Sequence, residues 1–181
     1  MLDSASENED FQDARCESDQ SPPGYDSTTL RRAFGRFATG VTIVTTQTEA
    51  GPLAMTANSF SSVSLDPPLV IWAVGRHSRR FDAFARGRFQ AIHVLADDQL
   101  DLCWRFSRTG TDFSGLDLRN NAEGAPLLPS ALARFECEIV NRVNGGDHLV
   151  LLGRIMRLTV AEGEPLVFAA GRYGRLAAAG P

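Results

Sequence analysis

The chain has 181 residues, 22 acidic and 18 basic, for a formal net charge of −4, and every basic residue is arginine. The absence of lysine excludes Schiff-base chemistry, biotin or lipoyl carriage and a lysine-bearing phosphate loop. Charge is unevenly placed: seven acids and Arg15 alone fall in residues 1–25, so the remaining chain carries a slight positive excess.

A hydrophobic content of 43% supports a packed core, and the length after the leader suits one domain. We divide the chain into an acidic leader, residues 1–25, expected to be disordered, and a folded domain, residues 26–181. No apolar run reaches the length of a membrane-spanning helix, and the N-terminus lacks the pattern of a secretory signal. Cys16, Cys103 and Cys137 are odd in number and widely spaced, which argues against a disulfide framework and for a reducing cytoplasm. Without a strong basic patch, nucleic-acid binding is not expected.

In chain order, Leu30, Ala33, Phe34, Phe37 and Ala38 recur at helical spacing, and Gly40 is expected to close that helix. Val41–Thr46 is β-branched and reads as a strand, returning as a hairpin through Leu53–Thr56. Leu69–Val74 is an apolar strand, Ser78–Gly87 a short helix and Phe89–Leu95 another strand. Asp97–Ser107 reads as a helix capped by Asp97 or Asp98. Residues 109–129 lack periodicity and suggest a functional loop or lid. Alternation at Phe135, Cys137 and Ile139, then His148–Val160 and Leu166–Ala170, supplies the last strands. About seven strands with hairpin spacing and two or three short helices predict a mostly antiparallel barrel.

Three constellations carry chemistry. Thr56, Asn58, Ser59, Ser61, Ser62 and Ser64 crowd hydroxyl and amide groups into nine residues, which suits either a polar ligand or a polar strand edge. Arg76-His-Ser-Arg-Arg80 opens a predicted helix and suits a phosphate, or a solvated basic helix start. Gly145-Gly-Asp-His148 places Asp147 and His148 at a strand end. Three scattered histidines make no metal site, and neither a nucleophile elbow nor a glycine-rich dinucleotide fingerprint is present.

In order, these segments resemble the short-chain flavin reductases, whose members share an FMN-binding split β-barrel and supply reduced flavin to two-component monooxygenases. The matching stretches are Phe37-Ala-Thr-Gly-Val-Thr-Ile-Val-Thr-Thr46, Met55-Thr-Ala-Asn-Ser-Phe-Ser-Ser-Val-Ser-Leu-Asp-Pro-Pro-Leu69, Gly87-Arg-Phe89, His93-Val-Leu95, Gly146-Asp-His148, Leu152-Gly-Arg154, Pro165-Leu-Val-Phe168 and Gly171-Arg-Tyr173. They run from about residue 28 to 176, leaving the leader outside.

The resemblance implies an NAD(P)H-dependent flavin reductase, a homodimer that uses FMN or FAD with NADH or NADPH and serves a partner monooxygenase. It implies flavin contacts from Pro52, Leu53, Ala54, Met55, Thr56, Asn58 and Ser59, with Ala73, Val74 and Gly75 beneath the ring. Ser78, Arg79 and Arg80 would hold the phosphate, and Arg105 and Phe106 would add flavin contacts. His148 would orient the nicotinamide, with Phe168, Ala169, Ala170, Gly171 and Tyr173 on the same side. Ala54 stands where the family often has glycine, and Ala169-Ala170 replaces larger residues. The alternative is a flavin-binding sensor or carrier without turnover.

Overall fold

The computed structural model describes Gly24 and residues 26–177, so the expected disordered leader, Gly24 apart, lies outside the described residues. Helix α1 (Ser27–Phe34) precedes strands β1 (Thr39–Gly40), β2 (Thr42–Thr48), β3 (Gly51–Ala57), β4 (Ser61–Leu65) and β5 (Pro68–Gly75). Helix α2 (Phe81–Arg86), β6 (Phe89–Val94) and α3 (Leu100–Arg108) follow. The short β7 (Arg119–Asn120) and β8 (Pro126–Leu127) lead to long β9 (Ala133–Gly145) and β10 (His148–Val160), then β11 (Val167–Ala169) and β12 (Arg172–Gly174).

Seven strands form one antiparallel sheet in the order β3-β2-β6-β9-β10-β5-β4. The outer strands β3 and β4 do not pair with each other, so the barrel stays split. A second sheet, β1-β11-β12, lies beside it. It is tied to the first through Val41, whose N–H donates to Leu166 and whose carbonyl accepts from Leu95.

Strand β2 separates two cores. Its β-branched residues alternate sides, so Val44 joins a cluster around Trp72, Phe84 and Leu151, while Ile43 joins Cys103, Phe106, Leu128 and Leu166. Burial of each such side chain contributes about 1.5–3 kcal/mol. Trp72 meets Phe84 edge-on at 5.2 Å and donates its indole N–H to Gln90 at 2.9 Å. Gln90 in turn donates to the Phe84 carbonyl at 2.8 Å, so a buried amide is satisfied within the core.

Three sequence expectations about these elements change. Helix α1 ends at Phe34 rather than near Gly40, with Gly35 donating back to Arg31, and Thr39–Gly40 pairs with β11 instead. Its apolar face is not buried: Phe34 is 70% exposed and Phe37 78%. The helix expected from Asp97 begins at Leu100 with Gln99 at its cap, and Asp97 instead pairs with Arg175. Ser61–Leu65 forms an exposed edge strand, in keeping with the strand-edge reading left open for the polar cluster.

Residues 109–129 are pinned rather than free to act as a lid. Leu128 is buried, and its N–H donates to His93 Nε2 at 3.0 Å, while Thr45 donates to the Pro126 carbonyl. Asn121 donates to Glu136 at 3.0 Å, and Arg157 joins Glu136 to Glu123. The His93 Nδ1–H reaches the Ile43 carbonyl at 3.0 Å, which leaves Nε2 as the acceptor. Among the described residues, no helix is long and apolar enough to cross a membrane.

Candidate functional site

The site lies where the ends of β3 and β5 and the start of β10 converge. Just beyond β3, Ser59 Oγ donates to the Ala73 carbonyl and accepts the Ala73 N–H, both at 3.0 Å. This hydroxyl joins two stretches that the sequence reading assigned to the flavin. Antiparallel register then places His148 opposite Gly75, with Nε2 3.4 Å from where a Cβ on Gly75 would stand. An alanine at position 75 would sit in ordinary van der Waals contact with the imidazole, and a longer side chain would press on it.

The β9–β10 turn sets that imidazole. Gly146 takes φ +76°, a left-handed conformation that glycine adopts without a Cβ penalty, and the chain reverses to deliver Asp147 and His148. His148 Nδ1 lies 2.7 Å from the Asp147 carboxylate, which is held below the usual carboxylate range by this bond. In the neutral ring the proton sits on Nδ1, and Nε2 keeps its lone pair for a ligand. The Arg76 N–H donates to the Asp147 carbonyl at 2.9 Å, fixing the turn to the end of β5.

A pocket of about 160 Å³ brings Thr56 and Asn58 from the flavin set together with Phe168 and Tyr173 from the nicotinamide set. The Phe168 and Tyr173 rings lie 5.0 Å apart, and Trp104 meets Tyr173 edge-on at 5.2 Å. The Thr56 hydroxyl donates to the Cys103 carbonyl at 2.8 Å, tying β3 to α3. Burial, then the neighbouring Cys103 thiol, pushes the Tyr173 hydroxyl up to about 12. It is therefore a neutral hydrogen-bonding group at neutral pH.

Arginine usage differs sharply between neighbours. Arg80 directs its guanidinium at the Phe106 carbonyl (2.6 Å), the Ala54 carbonyl (3.2 Å) and the carbonyls of Ser107 and Arg108. It closes the C-terminus of α3 against β3, where unpaired carbonyls and the helix dipole favour a cation. Desolvation by burial, then Arg79, lowers its pKa from the ordinary arginine value. Gly110 makes this approach feasible, since a Cβ there would come within 2.6 Å of the Ala54 oxygen. Helix α2 begins only at Phe81, so Arg76–Arg80 forms the turn before it. Arg79 is exposed, with no hydrogen bond or ion pair among the described residues, and Ser78 Oγ accepts from the Arg80 N–H at 3.2 Å.

The remaining predicted residues divide by burial. Ala54, Val74 and Phe106 lie within the cores, with the Ala54 N–H donating to the Gly110 carbonyl and the Ala54 and Phe106 carbonyls accepting from Arg80, whereas Pro52, Leu53 and Met55 are half-buried along β3. Arg105 donates to the Ser114 carbonyl at 2.8 Å. Ala169 ends β11, and Ala170-Gly171 forms the turn to β12 with φ of 50° and 75°. Sequence reasoning missed Val41, Ser107, Trp104 and Gly110; the only signal was the glycine that follows the α3 pattern at Ser107-Arg-Thr-Gly110.

The profile of the flavin reductase like domain matches residues 34–177. The chain belongs to that family. A flavin reductase family member, the FMN reductase (NADH) SmoA of Agrobacterium fabrum, is 47% identical over 154 residues, which are 85% of this chain and 88% of that protein. The reductase subunit HsaB of a flavin-dependent monooxygenase from Rhodococcus jostii is 38% identical over 80% of this chain and 75% of its own. The Streptomyces globisporus NADH:FAD oxidoreductase SgcE6, solved in complex with NAD and FAD fragments, superposes with a TM-score of 0.79 at 39% identity, covering 84% of this chain and 94% of that one.

For a family member, the donor set is suited to a flavin. Asn58 and Arg79 carry polar groups that make no hydrogen bond among the described residues, and Ser78 retains its hydroxyl proton. The 160 Å³ pocket has room for a ring edge but not for a whole flavin.

Proposed function

We propose that this chain is an NAD(P)H:flavin oxidoreductase that supplies reduced flavin to a partner monooxygenase. The observation that carries the reading is the pocket shared by Thr56, Asn58, Phe168 and Tyr173. It sets the polar end of β3 against the aromatic wall of the β11–β12 hairpin. A bound flavin would supply the redox chemistry, as the acceptor of a hydride from a reduced nicotinamide.

The chain's own groups position the reactants. Asn58 and the backbone around Thr56 would hydrogen-bond the ring, and Ser59 holds β3 and β5 together beneath it. Ser78 and Arg79 would hold the flavin phosphate. Arg80, paired with four carbonyls, would act by fixing the turn that carries them. His148, oriented by Asp147, would present Nε2 toward the nicotinamide at the end of β5. No protein nucleophile enters the reaction.

Reductase names among the relatives favour turnover over the sensor or carrier alternative, and SmoA's NADH use supports NADH as donor. HsaB's role supports a flavin-dependent monooxygenase as the partner. A homodimer belongs to the same reading: the outward Phe34 and Phe37, together with Val63 and Leu65 on edge strand β4, need a second apolar surface. We place the folded domain at residues 26–181 and the protein in the cytoplasm, where reduced nicotinamides are at hand and buried free Cys103 and Cys137 remain reduced. Purified protein mixed anaerobically with FMN or FAD and NADH should bleach the flavin far faster than NADH alone. No acceleration with either nicotinamide would overturn the reading.

A further inference from the structure

Helix α1 sits the opposite way round from an ordinary surface helix. Its polar face, Thr28, Arg31, Arg32, Gly35 and Arg36, follows the i, i+3, i+4, i+7, i+8 pattern and turns toward the β11–β12 turn of its own chain. The Ala170 N–H donates to the Gly35 carbonyl at 2.7 Å and locks this orientation. The apolar face, with Phe34 and Phe37, turns outward.

Between the helix and Ala170-Gly171 lies a hollow of about 580 Å³ into which Arg31, Arg32 and Arg36 converge. None of the three makes an ion pair or side-chain hydrogen bond among the described residues. No carboxylate of the described residues lines the hollow. Three like charges gathered with no counter-ion among the described residues repel one another, and an anion between them would relieve that cost.

We propose that Arg31, Arg32 and Arg36 form the binding site for the diphosphate of the nicotinamide dinucleotide. The inference rests on the reductase reading and extends it from the nicotinamide ring to the other half of the donor. The β11–β12 hairpin supplies the spacing. Phe168 and Tyr173 pair across it and line the ring pocket, and Ala170-Gly171 turns the chain two residues further on. Two residues of strand span about 7 Å, the order of distance from a nicotinamide across its ribose to the diphosphate. Planar guanidinium forks suit that group, and the positive φ of Ala170 and Gly171 belongs to the turn that lies against the arginines. The site predicts that binding energy is spent on the adenylate half of the dinucleotide, not on the ring alone.

The test uses the full chain and two readouts. Calorimetry with ADP-ribose, which carries the diphosphate and lacks nicotinamide, measures the site without turnover. Replacing all three residues, Arg31→Gln with Arg32→Gln and Arg36→Gln, should weaken ADP-ribose binding at least about tenfold. It should raise KM for NADH similarly while leaving kcat and the KM for reduced nicotinamide mononucleotide within about twofold. Should the triple variant fail to fold, the single variants and the matching lysine variants serve: each Arg→Gln should weaken ADP-ribose several-fold, with lysine restoring part of it. Wild-type ADP-ribose affinity in the variants, or no ADP-ribose binding by the unmodified chain, overturns the proposal. Loss of ADP-ribose binding in the variants of a chain that never reduces flavin would leave the site standing and sink the reductase reading instead. Normal flavin reduction with an unchanged KM for NADH would do the reverse.

Discussion

Arg80 Nη1 lies 2.6 Å from the carbonyl oxygen of Phe106, the last buried residue of α3. That bond, with the others to Ala54, Ser107 and Arg108, makes Arg80 a clasp between α3, β3 and the turn carrying Ser78 and Arg79. Neighbouring arginines should therefore respond differently to substitution. Arg80→Met should lower stability by about 2 kcal/mol, since it strands carbonyls that lose a charged donor. Arg79→Ala should leave the thermal midpoint unchanged and weaken flavin binding roughly tenfold. Thermal melts and flavin titration of the two variants check this pair of outcomes. Equal stability loss in both would contradict the division.

His148→Ala tests the nicotinamide side. The imidazole stands over Gly75 and is oriented by Asp147. Flavin affinity should stay within about twofold, while flavin reduction by NADH slows by about ten- to a hundredfold, as loss of a positioning group would. Asp147→Asn should show a smaller slowing in the same assay. If flavin affinity falls and reduction does not, His148 belongs to the flavin.

Burial pushes the His93 imidazole down to about 4 from an ordinary value of 6.5. The unfolded chain thus takes up a proton near pH 6.5 that the folded chain refuses until about pH 4. Stability from this residue is complete above the upper value and falls with pH through the window, by about 3 kcal/mol at the lower end. Urea midpoints measured across that interval should decline steadily toward acid. A flat profile, or a His93 ring signal that titrates at the ordinary value, would contradict the burial and its two backbone bonds.

Cys103 and Cys137 are both buried, and desolvation raises both thiols, Cys137 to about 12. In a Cys16→Ser background, a thiol reagent should find neither until the protein unfolds, because the thiolate is the reacting form. Fast labelling of Cys103 in the native protein would show that the packing beside Tyr173 opens.

Sequence made the strands legible where the environment is simple. The β-branched run around Ile43 and Val44 faces a core on each side, and the glycine turn before His148 folds as its composition requires. Three features were hidden for physical reasons. Arg80 finds its carbonyls 26 to 28 residues away, a partnership no local spacing reports. Buried His93 and Glu136 anchor residues 109–129, yet both are polar types that read as surface. Helix α1 showed an amphipathic pattern, but periodicity says only that two faces differ, not which one meets the chain's own hairpin. Within the site, the family resemblance named Ser59 and Ala73 as flavin neighbours but not their hydrogen bond to each other, a contact 14 residues apart that local spacing does not report. The core position of Phe106 follows from its packing against Phe113 at 4.9 Å.

The central claim is that this fold brings a reduced nicotinamide and a flavin into reaction. Anaerobic rapid mixing of the purified protein, FMN or FAD, and NADH or NADPH tests it most directly, with loss of the oxidised flavin's visible absorbance as the signal. The account predicts bleaching at least about a thousandfold faster than the protein-free mixture, with NADH the better donor. Bleaching no faster than free flavin with either nicotinamide would contradict it.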